Sequence, residues 1–168
     1  METPLALSYL LLLIAILAVV GFLVVREILR NRELEKVISE LQPKLQKQKG
    51  TPEEHYELGS VYLKKKLYAA AIKELQQAIK KSPSPFPEAL NALGYAYFCQ
   101  EQYDLAIKTY KEAVEAKPDY TVAWNNLGHA YEKKKLIPQA IEAYQKTITI
   151  DANNKTAQQR LESLQKRV

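Results

Sequence analysis

The sequence predicts an all-α protein: one N-terminal transmembrane helix, then a three-repeat solenoid of helix pairs, closed by a C-terminal capping helix. Three observations predict it. Residues 5–25 carry no charge. Three later segments repeat one another with Gly59, Gly94 and Gly128 in phase, 35 and 34 residues apart. The last stretch, 155–168, sets Ala157, Leu161 and Leu164 on one side and polar residues elsewhere. The 168 residues divide accordingly into an anchor (1–25), a basic amphipathic helix and hinge (26–50), three repeats over 51–154 (51–85, 86–119 and 120–154) and a cap (155–168).

The anchor comes first. LALSYLLLLIAILAVVGFLVV is 21 residues long, and at 1.5 Å per residue it spans roughly 32 Å against about 30 Å of hydrocarbon. Fifteen of its residues are Leu, Ile, Val or Phe, which sums to roughly −6 kcal/mol on the insertion scale. A cleaved secretory signal wants a basic start and an apolar stretch of about 7–15 residues. The chain instead begins Met-Glu-Thr-Pro and its run is longer, which favours a retained span. A core helix would show a polar face, and this one offers little beyond Ser8. All 24 Lys and Arg lie at or after Arg26. Arg26, Arg30, Arg32 and Lys36 just beyond the span place the following part on the cytoplasmic side or its stromal equivalent.

Residues 26–42 continue in helical period, with Ile28, Leu34, Val37, Ile38 and Leu41 on one stripe. Pro43 is expected to kink or end that helix. Residues 44–50 (KLQKQKG) read as a polar hinge. Thr51-Pro52-Glu53-Glu54 is a capping box with Pro in the first helical turn, marking the start of the first repeat.

Each repeat follows one pattern. Leu58-Gly59 with Tyr62, Leu93-Gly94 with Tyr97, and Leu127-Gly128 with Tyr131 open the three units. Ala71, Ala106 and Ala140 follow their glycines by twelve residues. Ala78 and Ala113 come seven later, where Thr147 departs. Tyr110 and Tyr144 hold the aromatic place, with Leu75 as its apolar substitute. Pro83 and Pro118 close two units, while Ala152 stands at the third. Trp124 fills an opening slot held by His55 and Leu90 elsewhere. A glycine inside a helix costs about 1 kcal/mol relative to Ala, so its recurrence at one phase needs a packing reason. Gly59, Gly94, Gly128, Ala71, Ala106 and Ala140 are read as the residues that let paired axes approach closely.

These residues resemble the tetratricopeptide pattern W-x2-L-G-x2-Y…A-x3-F…P. The resemblance implies a right-handed solenoid whose first helices line a concave groove, a module that binds protein rather than an enzyme. Tyr56, Ser60, Asn91, Tyr95, Phe98, Asn125 and His129 would then face the groove, with Leu63 and Glu132 a turn away. Tyr95 and Phe98 offer apolar anchors and the two Asn side chains offer hydrogen bonds to a ligand backbone. The alternative is a solvated helix face. The lysine clamp of chaperone-docking relatives is unmatched, because Tyr56 and Ser60 stand where it needs Lys and Asn.

Composition narrows the chemistry. A single Cys, Cys99, forbids an intrachain disulfide, and two His with one Cys make no ordinary zinc site. Five Gly, none in a phosphate-loop setting, leave no dinucleotide or nucleotide signature. A net charge of +5 is far below that of a committed nucleic-acid binder. Cys99 with His129 is the only nucleophile–base pair worth naming, and it reads as a packed thiol beside a groove imidazole. No catalytic residue, cofactor, metal or small-molecule substrate is expected. Lys64-Lys65-Lys66 and Lys133-Lys134-Lys135 fall at equivalent turns and form a basic edge. Either they are hydrated cations at helix C-termini, or they face anionic lipid or an acidic partner.

One membrane helix, a short basic helix and three such repeats resemble a narrower family: the hypothetical chloroplast reading frame thirty-seven proteins of algal plastids and cyanobacteria. The likeness rests on Gly50-Thr51-Pro52 with Tyr56-Glu57-Leu58-Gly59, on residues 93–107 (LGYAYFCQEQYDLAI) and on residues 125–136 (NNLGHAYEKKKL). It implies a single-pass thylakoid protein with its repeats on the stromal or cytoplasmic side, scaffolding photosystem I assembly or stability by binding its subunits. A general membrane-anchored adaptor for cytochrome maturation or protein import stays open beside it.

Overall fold

The computed structural model describes residues 3–47 and 50–166. Eight helices are found among them and no strand: α1 Thr3–Gln46, α2 Pro52–Lys64, α3 Tyr68–Lys81, α4 Pro87–Cys99, α5 Tyr103–Ala116, α6 Thr121–Lys133, α7 Ile137–Ile150 and α8 Lys155–Gln165. The chain separates into two compact units, Met1–Glu40 and Leu41–Val168.

In the first unit, the large apolar side chains from Leu7 through Val25 are all exposed. The stretch is long and apolar enough to cross a bilayer. An exposed apolar surface of this extent marks a contact with lipid or with another protein. Pro43 does not end the helix, as one half of the sequence expectation had it. α1 runs through it to Gln46, so the missing Pro N–H removes one helical bond, that to the carbonyl of the exposed Ser39 four residues before it. The polar hinge is correspondingly shorter, and its residues 48 and 49 lie outside the described residues, as do residues 1–2 of the anchor and 167–168 of the cap.

In the second unit, α2–α3, α4–α5 and α6–α7 pack as three helix pairs, and each pair packs on the next. The glycines explain how closely. A methyl group on Gly94 would lie 2.7 Å from the Tyr110 ring, and one on Gly128 2.8 Å from that of Tyr144; on Gly59 it would lie 2.7 Å from Leu75 Cγ. The residue seated over each glycine is the large one four positions after the recurrent alanine. Ala71, Ala106 and Ala140 are fully buried alongside. Thr147, in an alanine's place, is fully buried too, and its hydroxyl donates to Ala143 O at 3.1 Å. That back-bond satisfies a polar group the core has no other use for.

Helix ends are set locally. Thr51 caps α2: its Oγ1 accepts from Glu54 N at 3.3 Å, and Glu54 Oε2 accepts from Thr51 N at 3.1 Å. Asn154 caps α8 by accepting from Ala157 N at 3.0 Å. The turn inside each pair carries one left-handed residue, Lys66 (φ 58°), Glu101 (φ 60°) and Lys135 (φ 59°). This conformation lets Leu67 N, Gln102 N and Leu136 N reach back to Tyr62 O, Tyr97 O and Tyr131 O at 2.8, 3.0 and 2.9 Å, the wide loop of a Schellman stop. An L-residue with a Cβ is strained there. Lys66→Gly, Glu101→Gly and Lys135→Gly are each expected to raise stability by about 0.5–1 kcal/mol, read as a rise in the thermal unfolding midpoint.

The unit curves because its two helix layers pack unequally. The first helices approach one another from pair to pair, α2 with α4 and α4 with α6, while the second helices pack chiefly on their sequence neighbours. The shorter side is therefore lined by α2, α4 and α6. α8 packs on α7 and closes the row, burying Ala157 and Leu164 against Ala140 and Tyr144.

Candidate functional site

The first-helix residues that the sequence aims at the groove lie along α2, α4 and α6, the inner layer of the solenoid. Tyr56 is half-buried, its ring 5.1 Å from Phe86 in the turn before α4. Ser60 lies one helical turn on, partly exposed. On α4, Tyr95 is 44% exposed. Phe98 is held between Tyr103, edge-on at 5.4 Å, and His129 of the next repeat at 4.8 Å. Phe98 and His129 thus form an aromatic strip crossing from the second repeat to the third, and Tyr95 precedes Phe98 by one turn of α4.

Two of the expected hydrogen-bonding residues behave differently from each other. Asn91 is engaged within the fold: its Oδ1 accepts from Asn126 Nδ2 at 2.9 Å, and its Nδ2 reaches the Tyr120 hydroxyl at 3.5 Å. One N–H and one acceptor position of its amide are therefore used within the fold. Asn125, its counterpart on α6, keeps a buried Oδ1 without a hydrogen-bond partner. The reason is legible in register. Arg160 of α8 stands 34 residues after Asn126, and it turns to Glu132 Oε2 at 3.8 Å instead of to Asn125.

The far end of the strip is more polar. Glu132 Oε1 accepts from the Tyr144 hydroxyl at 2.5 Å, and burial followed by this bond pushes that hydroxyl far above its ordinary range. Burial holds the His129 imidazole below its ordinary value, with Arg160 adding to the effect and Glu132 opposing it. The folded chain therefore binds the proton less tightly than the unfolded one. That contribution to stability is complete above the unfolded value of about 6.5 and is lost as pH falls through the lowered one. Thermal melts in a pH series are expected to show a constant gap between the parent and His129→Gln above neutrality. Below about pH 6 the parent should lose ground.

Cys99 is not paired with His129, whose ring lies against Phe98. The nearby Cys99 thiol, with burial adding to it, raises the Tyr68 and Tyr95 hydroxyls above their ordinary value. Tyr68, Phe86, Tyr103 and Arg160 escaped the sequence reading because none sits at a repeated first-helix position. The first repeat adds His55, buried, with Nδ1 2.8 Å from Glu74 Oε2. At the basic edge, Lys64, Lys66, Lys133, Lys134 and Lys135 are exposed and Lys65 is partly exposed. Lys134 pairs with Asp104 at 3.0 Å.

Comparison with known proteins agrees with this architecture. Tetratricopeptide-repeat family patterns match residues 52–85, 94–135 and 121–154. The chain is 42% identical over 170 residues to the chloroplastic tetratricopeptide repeat domain-containing protein PYG7 of Arabidopsis thaliana, covering 99% of this chain and 56% of that protein. It therefore spans a little over half of that relative's length. It is 37% identical over 149 residues to the ycf37 protein of Cyanophora paradoxa, covering 87% and 86% of the two chains. Among solved structures it resembles MamA, with a TM-score of 0.77 at 26% identity over 82% of this chain and 80% of that one. It also resembles the first tetratricopeptide domain of RPAP3 bound to an HSP90 peptide, with a TM-score of 0.67 at 22% identity over 70% and 92%, a likeness of fold alone. With three matched repeats and a ycf37 relative shared over most of both lengths, this chain belongs to the ycf37 family of tetratricopeptide-repeat proteins.

Proposed function

We propose that the chain is a membrane-anchored, non-enzymatic scaffold that holds protein subunits in its concave groove during photosystem I assembly or stabilisation. One observation carries the reading: on the inner layer Phe98 and His129 pack together across two repeats, with the exposed Tyr95 one helical turn before Phe98. Rigid aromatic side chains that are half-packed on one side and uncovered on the other are what protein interfaces use as anchors. Tyr56 and Ser60 extend that surface along α2.

The exposed apolar helix supports the anchored half of the reading, and Arg26, Arg30, Arg32 and Lys36 support a stromal or cytoplasmic location for the repeats. Tethering confines the groove to the membrane plane, which raises its effective concentration towards membrane-borne subunits. The test is co-purification of the full-length chain from gently solubilised thylakoids. Photosystem I subunits are expected in the eluate. Their consistent absence, with another complex captured instead, replaces this reading with that of a general adaptor. Protease applied to intact thylakoids should remove the repeats; protection would place them in the lumen and favour a maturation role.

A further inference from the structure

We infer that the edge formed by the turns within each helix pair is a contact surface for anionic lipid, with Lys64, Lys66, Lys133 and Lys135 on the headgroups and Leu67 and Leu105 in the interfacial layer. This goes beyond the groove and rests on the anchored reading only for its proximity to a bilayer.

The turns lie side by side. Lys134 of the third turn bridges to Asp104 at the start of α5, and α3, which follows the first turn, packs on α4, which leads into the second. The edge is therefore a row, and Lys64, Lys66, Lys133 and Lys135 on it are exposed. Lys66 and Lys135 are themselves the left-handed residues of their turns. Glycine would relax both positions, so nothing in the packing asks for lysine there. Beside them, Leu67 is 47% exposed and Leu105 45% exposed. Cations interleaved with open leucines match a headgroup layer over an acyl boundary. The acidic charges on the row are Asp104, already paired with Lys134, and Glu101 at the middle turn.

The choice of cation separates lipid from protein. All six basic residues of the two runs are lysine, none arginine. Lysine is depleted from protein–protein interfaces, where arginine is favoured, whereas it serves well as a mobile point charge towards phosphate.

The test uses the full-length chain, with Cys99→Ser, reconstituted in vesicles of phosphatidylcholine with or without phosphatidylglycerol. An environment-sensitive fluorophore is placed at Leu67→Cys, and separately at Leu17→Cys in the anchor, with circular dichroism confirming the helical fold of each. The Leu67 label is expected to shift to the blue and to be quenched by lipid-borne quencher in anionic vesicles. It should return to its water value in high salt and when Lys64, Lys66, Lys133 and Lys135 are all changed to Gln. A Leu67 label that stays in water while the Leu17 label is shielded overturns the edge contact and leaves the anchor standing. A Leu17 label in water with the Leu67 label shielded supports the edge and removes the anchor; both in water removes both. Shielding that ignores lipid charge or the four lysines, or that arises only when soluble protein is added, also overturns the inference.

Discussion

Gly94→Leu is expected to lower stability by about 3 kcal/mol, a fall of roughly 10 °C in the thermal unfolding midpoint followed by circular dichroism. Even the first added carbon would stand 2.7 Å from the ring of Tyr110, and Tyr110 is 1% exposed and has no room to retreat. The pair α4–α5 would have to part, and the neighbours packed on it, α3 and α6, would lose their seat with it. Gly94→Ala tests the same contact more gently. Because Gly59 faces Leu75 rather than a ring, Tyr110→Leu should recover part of the loss in Gly94→Ala, so the two changes should be non-additive. A Gly94→Leu protein that melts with the parent would mean that the glycine phase has no packing role.

Tyr95→Ala combined with Phe98→Ala is expected to weaken partner binding by about 2–4 kcal/mol, a loss of roughly 30-fold or more in affinity. The fold should survive. Tyr95 is open to solvent, and Phe98 touches Tyr103 and His129 without being part of the fully buried core. A photoreactive crosslinker at position 95 in intact membranes identifies what is bound, and quantitative pull-down with the double variant measures the loss. Unchanged capture by a double variant with an unchanged dichroism spectrum would remove the groove from the account.

The repeated features were legible because packing imposes them three times over. Leu58-Gly59, Leu93-Gly94 and Leu127-Gly128 recur because each first helix meets its second helix at the same height, and one sequence period reports one geometry. What lies between repeats was not legible. Asn91 looked free because a single helix face says nothing of Asn126 on the next one. Tyr68 and Tyr103 begin second helices, where no recurrent groove position marks them, yet they border Cys99 and Phe98. The glycine partner was not legible for a related reason: period alone gives the phases of Gly94, Ala106 and Tyr110, but not which of the latter two lies over the former. Pro43 and Lys66 show the limit of local propensity. A helix can absorb a proline near its end, and a turn can force a lysine into a backbone region it disfavours, when neighbouring structure supplies the energy.

The unequal packing of the two layers has a mechanical consequence. Among the described residues each helix pair packs chiefly on its neighbours, with no extensive packing between the first repeat and the third. A tilt of a few degrees at each junction adds along the row, and the hollow widens or narrows like a coil spring under load, without any junction breaking. On the scaffold reading proposed above, a bound partner would be let go by flexing rather than by unfolding. Stiffness at the junctions between α3 and α4 and between α5 and α6, more than the strength of any single grip, would set how long it stays.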